Sequence, residues 1–127
     1  MKTSPEKRGS RPFMQTTLDA LNGIALGLES ERSLRLHALA VALVVFMGIL
    51  VGLTLTEWAL LFLTFGLLMA LELVNTAIET VADFIHPDHH PAIKRIKDLA
   101  AGAVLIAAVF SVAIGIVLFA PKLILYF

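Results

Sequence analysis

Cysteine is absent from the 127-residue chain, so neither a disulfide framework nor a thiolate metal site is available. Charge is scarce as well. Only 16% of residues are charged while 58% are hydrophobic, against roughly a quarter charged in an ordinary soluble domain. The two common phosphate cradles, a Gly-Lys-Ser/Thr loop and a Gly-x-Gly-x-x-Gly turn, are missing. Any nucleotide chemistry here needs another architecture. No cleavable signal peptide is expected, because the first apolar run begins near residue 36, behind a long polar segment.

What is present is apolar sequence in long blocks. Ala38–Thr56 and Leu99–Pro121 carry no charge, nor does Trp58–Leu71 between them. Beyond Leu71 the second block is interrupted only by Glu72 and Glu79 before Asp83. Each block reaches the roughly 20 helical residues that cross a hydrocarbon core about 30 Å thick. The expected fold is therefore an all-α membrane protein with one domain over 13–127. It comprises an N-terminal amphipathic interfacial helix over about 13–29 and transmembrane helices over about 33–53, 57–85 and 92–119.

Residues 1–12 are basic and polar and read as a disordered cytoplasmic arm. From Phe13 onward, Met14, Leu18, Leu21, Ala25 and Leu28 recur at steps of four and three, the pattern of a helix lying in the membrane interface. Thr56 is expected to cap the second span, Pro87 to end it, Pro91 to start the third and Pro121 to follow its end. Small residues at every fourth position, Ala103, Ala107, Ser111 and Gly115 in the third span and Gly48 and Gly52 in the first, suit close helix packing.

Although the net charge is zero, the charges are segregated. Six of the ten Lys and Arg precede the first span (Lys2, Lys7, Arg8, Arg11, Arg32, Arg35), and Lys94, Arg95 and Lys97 fall between the second and third. The turn around Thr54–Glu57 has none and the tail has Lys122 alone. The positive-inside rule then puts the N-terminus and the second loop in the cytoplasm and the C-terminus outside, in a cell membrane.

The second span holds the chemistry. Glu72, Asn75, Glu79 and Asp83 fall at roughly 0°, −60°, −20° and +20° around a helix axis, and rise over about 16 Å. Ionisable groups at such depth cost several kcal/mol and usually mark function. Polar glue between helices would account for one of them. Three acids on one stripe, however, repel unless a cation or a proton relieves them. Carboxylates a turn or two apart suit Mg²⁺, which takes oxygen ligands together with substrate phosphates. Glu29, Glu31 and Asp98 add acids at the cytoplasmic edge. Lys97, next to Asp98 near a helix start, is placed to meet phosphate, whereas Lys94 and Arg95 read as topology anchors.

Glu72-Leu-Val-Asn75-Thr76-Ala77-Ile78-Glu79-x-x-x-Asp83, followed fourteen residues later by Lys97-Asp98, resembles the signature of the prokaryotic diacylglycerol kinase family. The resemblance runs over nearly the whole chain from Phe13. The stretch Glu31-Arg32-Ser33-Leu34-Arg35-Leu36-His37 is similar to the Gram-positive branch that phosphorylates undecaprenol. The resemblance implies a homotrimer that passes the γ-phosphate of ATP to a membrane lipid hydroxyl, of undecaprenol or of diacylglycerol. It also implies a role for each motif residue: Glu72 as general base, Glu31 and Glu79 as Mg²⁺ ligands, and Asn75, Asp83, Lys97 and Asp98 around the nucleotide. The residues agree with this physically. Glu72 is the deepest acid, within reach of a lipid head group, and Glu79 lies two turns nearer the side where ATP arrives.

Three thin helices can hardly enclose a polar cavity alone, so an oligomer in the lipid bilayer is expected, with no nucleic-acid partner. The loop His86-Pro87-Asp88-His89-His90 has no defined zinc spacing and reads as a solvated loop facing nucleotide. The main rival is a proton-coupled transporter using the membrane acids as relays. It would need polar groups in both halves of the bilayer, and the outer half of the third span offers only Ser111.

Overall fold

The computed structural model describes residues 12–125. They form four helices: α1 (Phe13–Ser30), α2 (Arg32–Val51), α3 (Leu55–Ile85) and α4 (Pro91–Ile124). The expected polar arm, apart from Pro12, lies outside the described residues. By length and composition α2, α3 and α4 can each cross a membrane. At 1.5 Å per residue, α3 and α4 are about 46 and 51 Å long, well beyond a hydrocarbon core of about 30 Å.

A single residue separates α1 from α2. Glu31 is extended there, with φ −107° and ψ 118°, and the corner is fastened from the α2 side. The Arg35 guanidinium donates to the carbonyls of Leu28 at 2.9 Å and Glu29 at 2.8 Å, two groups that the end of α1 would otherwise leave open. Gly27 is buried at the corner. A Cβ there would fall 2.6 Å from Leu73 Cδ2 and 2.9 Å from Leu34 Cδ2, so a side chain at this position would push both leucines aside.

Three turn assignments differ from the sequence expectation. First, α2 stops at Val51 rather than about residue 53, because Gly52 adopts φ 69°, a conformation that favours glycine. Gly52 is thus a helix terminator with open space around its α-carbon, while Gly48 makes the close packing, against Leu53 and Trp58. Second, the cap of α3 is Thr54, not Thr56. Thr54 Oγ1 accepts from the Glu57 amide at 3.3 Å, and Glu57 Oε2 accepts from the Thr54 amide at 2.7 Å, a reciprocal capping box. Third, α4 does not end near Phe119 but continues through Pro121 to Ile124. Proline there removes one hydrogen bond, to the carbonyl four residues back, in the last turns of the helix. The extension brings Lys122 Nζ to 3.0 Å from Glu57 Oε2.

Leu53, Leu61, Leu118 and Phe119 are buried together at this end, with Trp58 and Phe65 packed on them. At the opposite end α3 finishes at Ile85, ahead of Pro87. Pro91 then opens α4, with His90 Nδ1 accepting from the Ala92 amide at 3.1 Å. Most other large apolar side chains, Leu18 and Leu21 of α1 among them, face outward.

Candidate active site

Glu72 is the one buried charged residue among those described, with only 3% of its surface exposed. Both of its oxygens are met from α2. Ser33 Oγ donates to Oε2 at 3.0 Å, and His37 Nδ1 lies 2.6 Å from Oε1 in a close polar contact that is not a well-directed hydrogen bond. Ser33 and His37 are one helical turn apart, so one face of α2 supplies both. Thr76 Oγ1 caps the Glu72 main-chain carbonyl at 3.1 Å.

Along the same stripe of α3, Asn75 Nδ2 donates to Glu79 Oε1 at 3.2 Å. Asn75 Oδ1, in contrast, is buried and has no hydrogen-bond partner. An acceptor withdrawn from water without a partner costs about 1–3 kcal/mol, and such an atom calls for an explanation. Nearer the rim, Asp83 Oδ1 pairs across the hairpin with Lys97 Nζ, and Lys94 Nζ pairs with Asp98 within α4. The lysine that reaches the α3 stripe is therefore Lys97, while its sequence neighbour Asp98 is engaged by Lys94. These four residues line one open hollow with His86 and His90 at the end of α3.

Glu31, half-buried at the α1–α2 corner, has a carboxylate with no partner among the described residues. Among the described residues, no group of three or more His, Asp or Glu side chains converges into a metal cage. Two of the three loop histidines have local roles. His90 caps α4, and His86 Nδ1 lies 3.1 Å from the Asp88 carbonyl oxygen.

The structure therefore joins the sequence-predicted residues in groups: Asn75 with Glu79, Asp83 with Lys97, Asp98 with Lys94, and Glu72 apart from the rest. Ser33 and His37 are site residues that the motif reading left without a role. The signal was present, as two polar side chains four residues apart at the head of an apolar span. What was missing was the rotational setting of α2 against α3.

A helical protein with three helices long and apolar enough to cross a bilayer, and an acidic stripe running from a buried carboxylate to a lysine-bearing rim, has the build of an enzyme that works at a membrane interface. Comparison with known proteins agrees. Residues 19–119 match the prokaryotic diacylglycerol kinase family. The chain is 44% identical over 111 residues to the undecaprenol kinase of Bacillus subtilis, covering 87% of this chain and 90% of that one. It is 38% identical over 102 residues to a diacylglycerol kinase of Synechocystis, covering 80% of this chain and 58% of the relative. It is also 32% identical over 90 residues to the diacylglycerol kinase of Escherichia coli K12, covering 71% and 74% respectively. The chain belongs to the prokaryotic diacylglycerol kinase family, and is a lipid kinase.

Proposed function

We propose that the protein transfers the γ-phosphate of ATP to the hydroxyl of undecaprenol, with diacylglycerol as a poorer acceptor. The observation that carries this reading is the continuity of one helix face. A single stripe of α3 links Glu72, buried in the apolar layer, to Lys97 and Asp83 at the rim. A lipid hydroxyl and a nucleotide can thus meet along one line. The choice of acceptor follows the resemblance to the Bacillus subtilis undecaprenol kinase, which extends through the Glu31–His37 corner.

Mg²⁺ fits the donors available. Glu31 and Glu79 offer hard carboxylate oxygens, and the unpartnered Asn75 Oδ1 stands next to Glu79. In this reading Glu31 and Glu79 hold the cation, and Asn75, Asp83 and Asp98 orient the nucleotide. Held there, a cation would neutralise charge on the phosphate oxygens, and Lys97 adds a mobile positive charge to the same end. Asp83 keeps Lys97 at the rim until phosphate competes for it. Glu72 is the carboxylate on which removal of the hydroxyl proton depends. Ser33 fixes its second oxygen, so that the carboxylate cannot rotate away.

The exposed apolar faces of α2, α3 and α4 suit contact with lipid and with further copies of the chain, and the assembly proposed is a homotrimer in the cell membrane. The outward apolar residues of α1 suit the interface, and the basic segments put the N-terminus and the α3–α4 loop in the cytoplasm. Transfer of labelled phosphate from ATP, with Mg²⁺ in detergent, to undecaprenol and to diacylglycerol in parallel tests the proposal. Labelled undecaprenyl phosphate at the higher kcat/KM is expected. Preference for diacylglycerol overturns the acceptor, and label in neither lipid overturns the function.

A further inference from the structure

We propose that Arg35 is a positioning residue for the metal ligand Glu31: by locking the α1–α2 corner it holds that carboxylate ready for a divalent cation. The inference rests on the lipid-kinase reading and its Mg²⁺ assignment, and deepens the metal-binding step. Glu31 is the one residue between the two helices, and its main chain belongs to both. Its amide donates to the Gly27 carbonyl of α1 at 2.9 Å, and its carbonyl accepts from the Arg35 amide of α2 at 3.3 Å. With the backbone so tied, at φ −107° and ψ 118°, the direction of its Cα–Cβ bond follows the angle between α1 and α2. Any swing of α1 on this single joint turns the carboxylate with it.

The Arg35 side chain restrains that swing. Its Nη1 donates to the Leu28 carbonyl at 2.9 Å and to the Glu29 carbonyl at 2.8 Å, two charge-assisted bonds from one nitrogen. Both run across the joint, from the opening turn of α2 to the last turn of α1. A cation in the first turn of a helix opposes that helix's own dipole, whereas a cation at a helix C-terminus is favoured. The place of Arg35 is therefore explained by the end of α1 rather than by α2. Membrane topology asks only for positive charge on this side, which Arg32 supplies equally. It does not ask for a guanidinium engaged with two particular carbonyls.

The corner is also seated on the helix that carries the acidic stripe, because Gly27 faces Leu73 of α3, the sequence neighbour of Glu72. The Glu31 carboxylate, half-buried and without a partner among the described residues, is left free for a ligand. A carboxylate on a loose joint has to be ordered when a cation binds, and that ordering lowers affinity. With the joint clamped, the ordering is already complete in the folded chain.

The test is Arg35→Met, which keeps an unbranched stem and removes both bonds. The full chain in detergent is titrated with Mn²⁺ alone, which takes carboxylate oxygens as Mg²⁺ does, and free Mn²⁺ is read by electron paramagnetic resonance. Loss of a group that orients a metal ligand weakens binding about 10–100-fold, and a loss of that size is expected with the helical circular dichroism signal unchanged. Wild-type Mn²⁺ affinity in Arg35→Met overturns the proposal. The double variant separates aiming from general stability. If Arg35 acts through Glu31, adding Arg35→Met to Glu31→Gln weakens Mn²⁺ binding no further, and an equal further loss overturns the proposal. Should Arg35→Met not fold, Arg35→Gln, whose shorter amide cannot span both carbonyls, is read by the same outcomes. Unaltered Mn²⁺ affinity in Glu31→Gln would remove the metal assignment itself. Weakened binding there, beside wild-type binding in Arg35→Met, removes only this inference.

Discussion

The two ends of α3 carry the same kinds of side chain and use them in opposite ways. At the Leu55 end, Glu57 is complete: one oxygen closes a capping box with Thr54 and meets Lys122. Thr54, Glu57 and Lys122 are tied to one another there, and the surrounding apolar residues Leu53, Leu61, Leu118 and Phe119 are buried together. Toward Ile85 the groups are less fully used. Asn75 Oδ1 is buried and unmatched, Lys97 and Asp83 pair in an open hollow, and Glu31 has no partner among the described residues. Satisfied charge builds structure, while charge with capacity left over is available to a ligand.

Several substitutions would break or sharpen that contrast. The largest effect is expected at the buried carboxylate. Glu72→Gln should still bind Mg²⁺–ATP, because the rim groups remain, yet lose about 10²–10⁴-fold in turnover. Steady-state rates beside nucleotide-binding titrations check both halves. Near-wild-type turnover would make Glu72 structural, and lost nucleotide binding with intact folding would move it into the metal or ATP shell. Glu31→Gln and Glu79→Gln should each lose most activity and require more Mg²⁺ for half-saturation. Full activity of either at ordinary Mg²⁺ contradicts its assignment as a ligand.

Smaller effects belong to structure alone. Gly27→Ala pushes a methyl group against Leu34 and Leu73, and Leu34 is only 1% exposed. Overpacking of this kind costs about 1–3 kcal/mol, so the variant should unfold earlier in a thermal melt. An unchanged melt would mean that the α1–α2 corner yields. The smallest effect is expected for Lys122→Met, which removes an ion pair whose members are both partly exposed. A change below about 1 kcal/mol is expected for such a pair, with turnover unaltered. A large loss of activity would mean that the closed end of α3 communicates with the open one.

The spans and the acidic stripe were legible in the sequence because both are properties of a single helix: a run of apolar residues, and carboxylates at helical spacing. The cap of α3 was misread as Thr56, although the sequence carries the signal for Thr54. Thr54-Leu55-Thr56-Glu57 is a capping-box pattern, and the glutamate at its third helical position chooses Thr54 over Thr56. Pro121 misled because proline usually ends a helix, yet near the last turn it costs one hydrogen bond and leaves the rest intact. The contacts of Glu72 with Ser33 and His37, and of Lys97 with Asp83, were not legible. Each depends on how one helix is rotated against another, which spacing within a helix does not determine.

The claim that α3 has a closed structural end and a working end turned toward ATP is tested most directly by mapping which compartment each end faces. With one reporter inserted at His89 and another fused after Phe127, the account predicts a cytoplasmic signal from the first and an extracytoplasmic signal from the second. The reverse pattern would turn Glu79, Asp83 and Lys97 away from ATP and contradict the account.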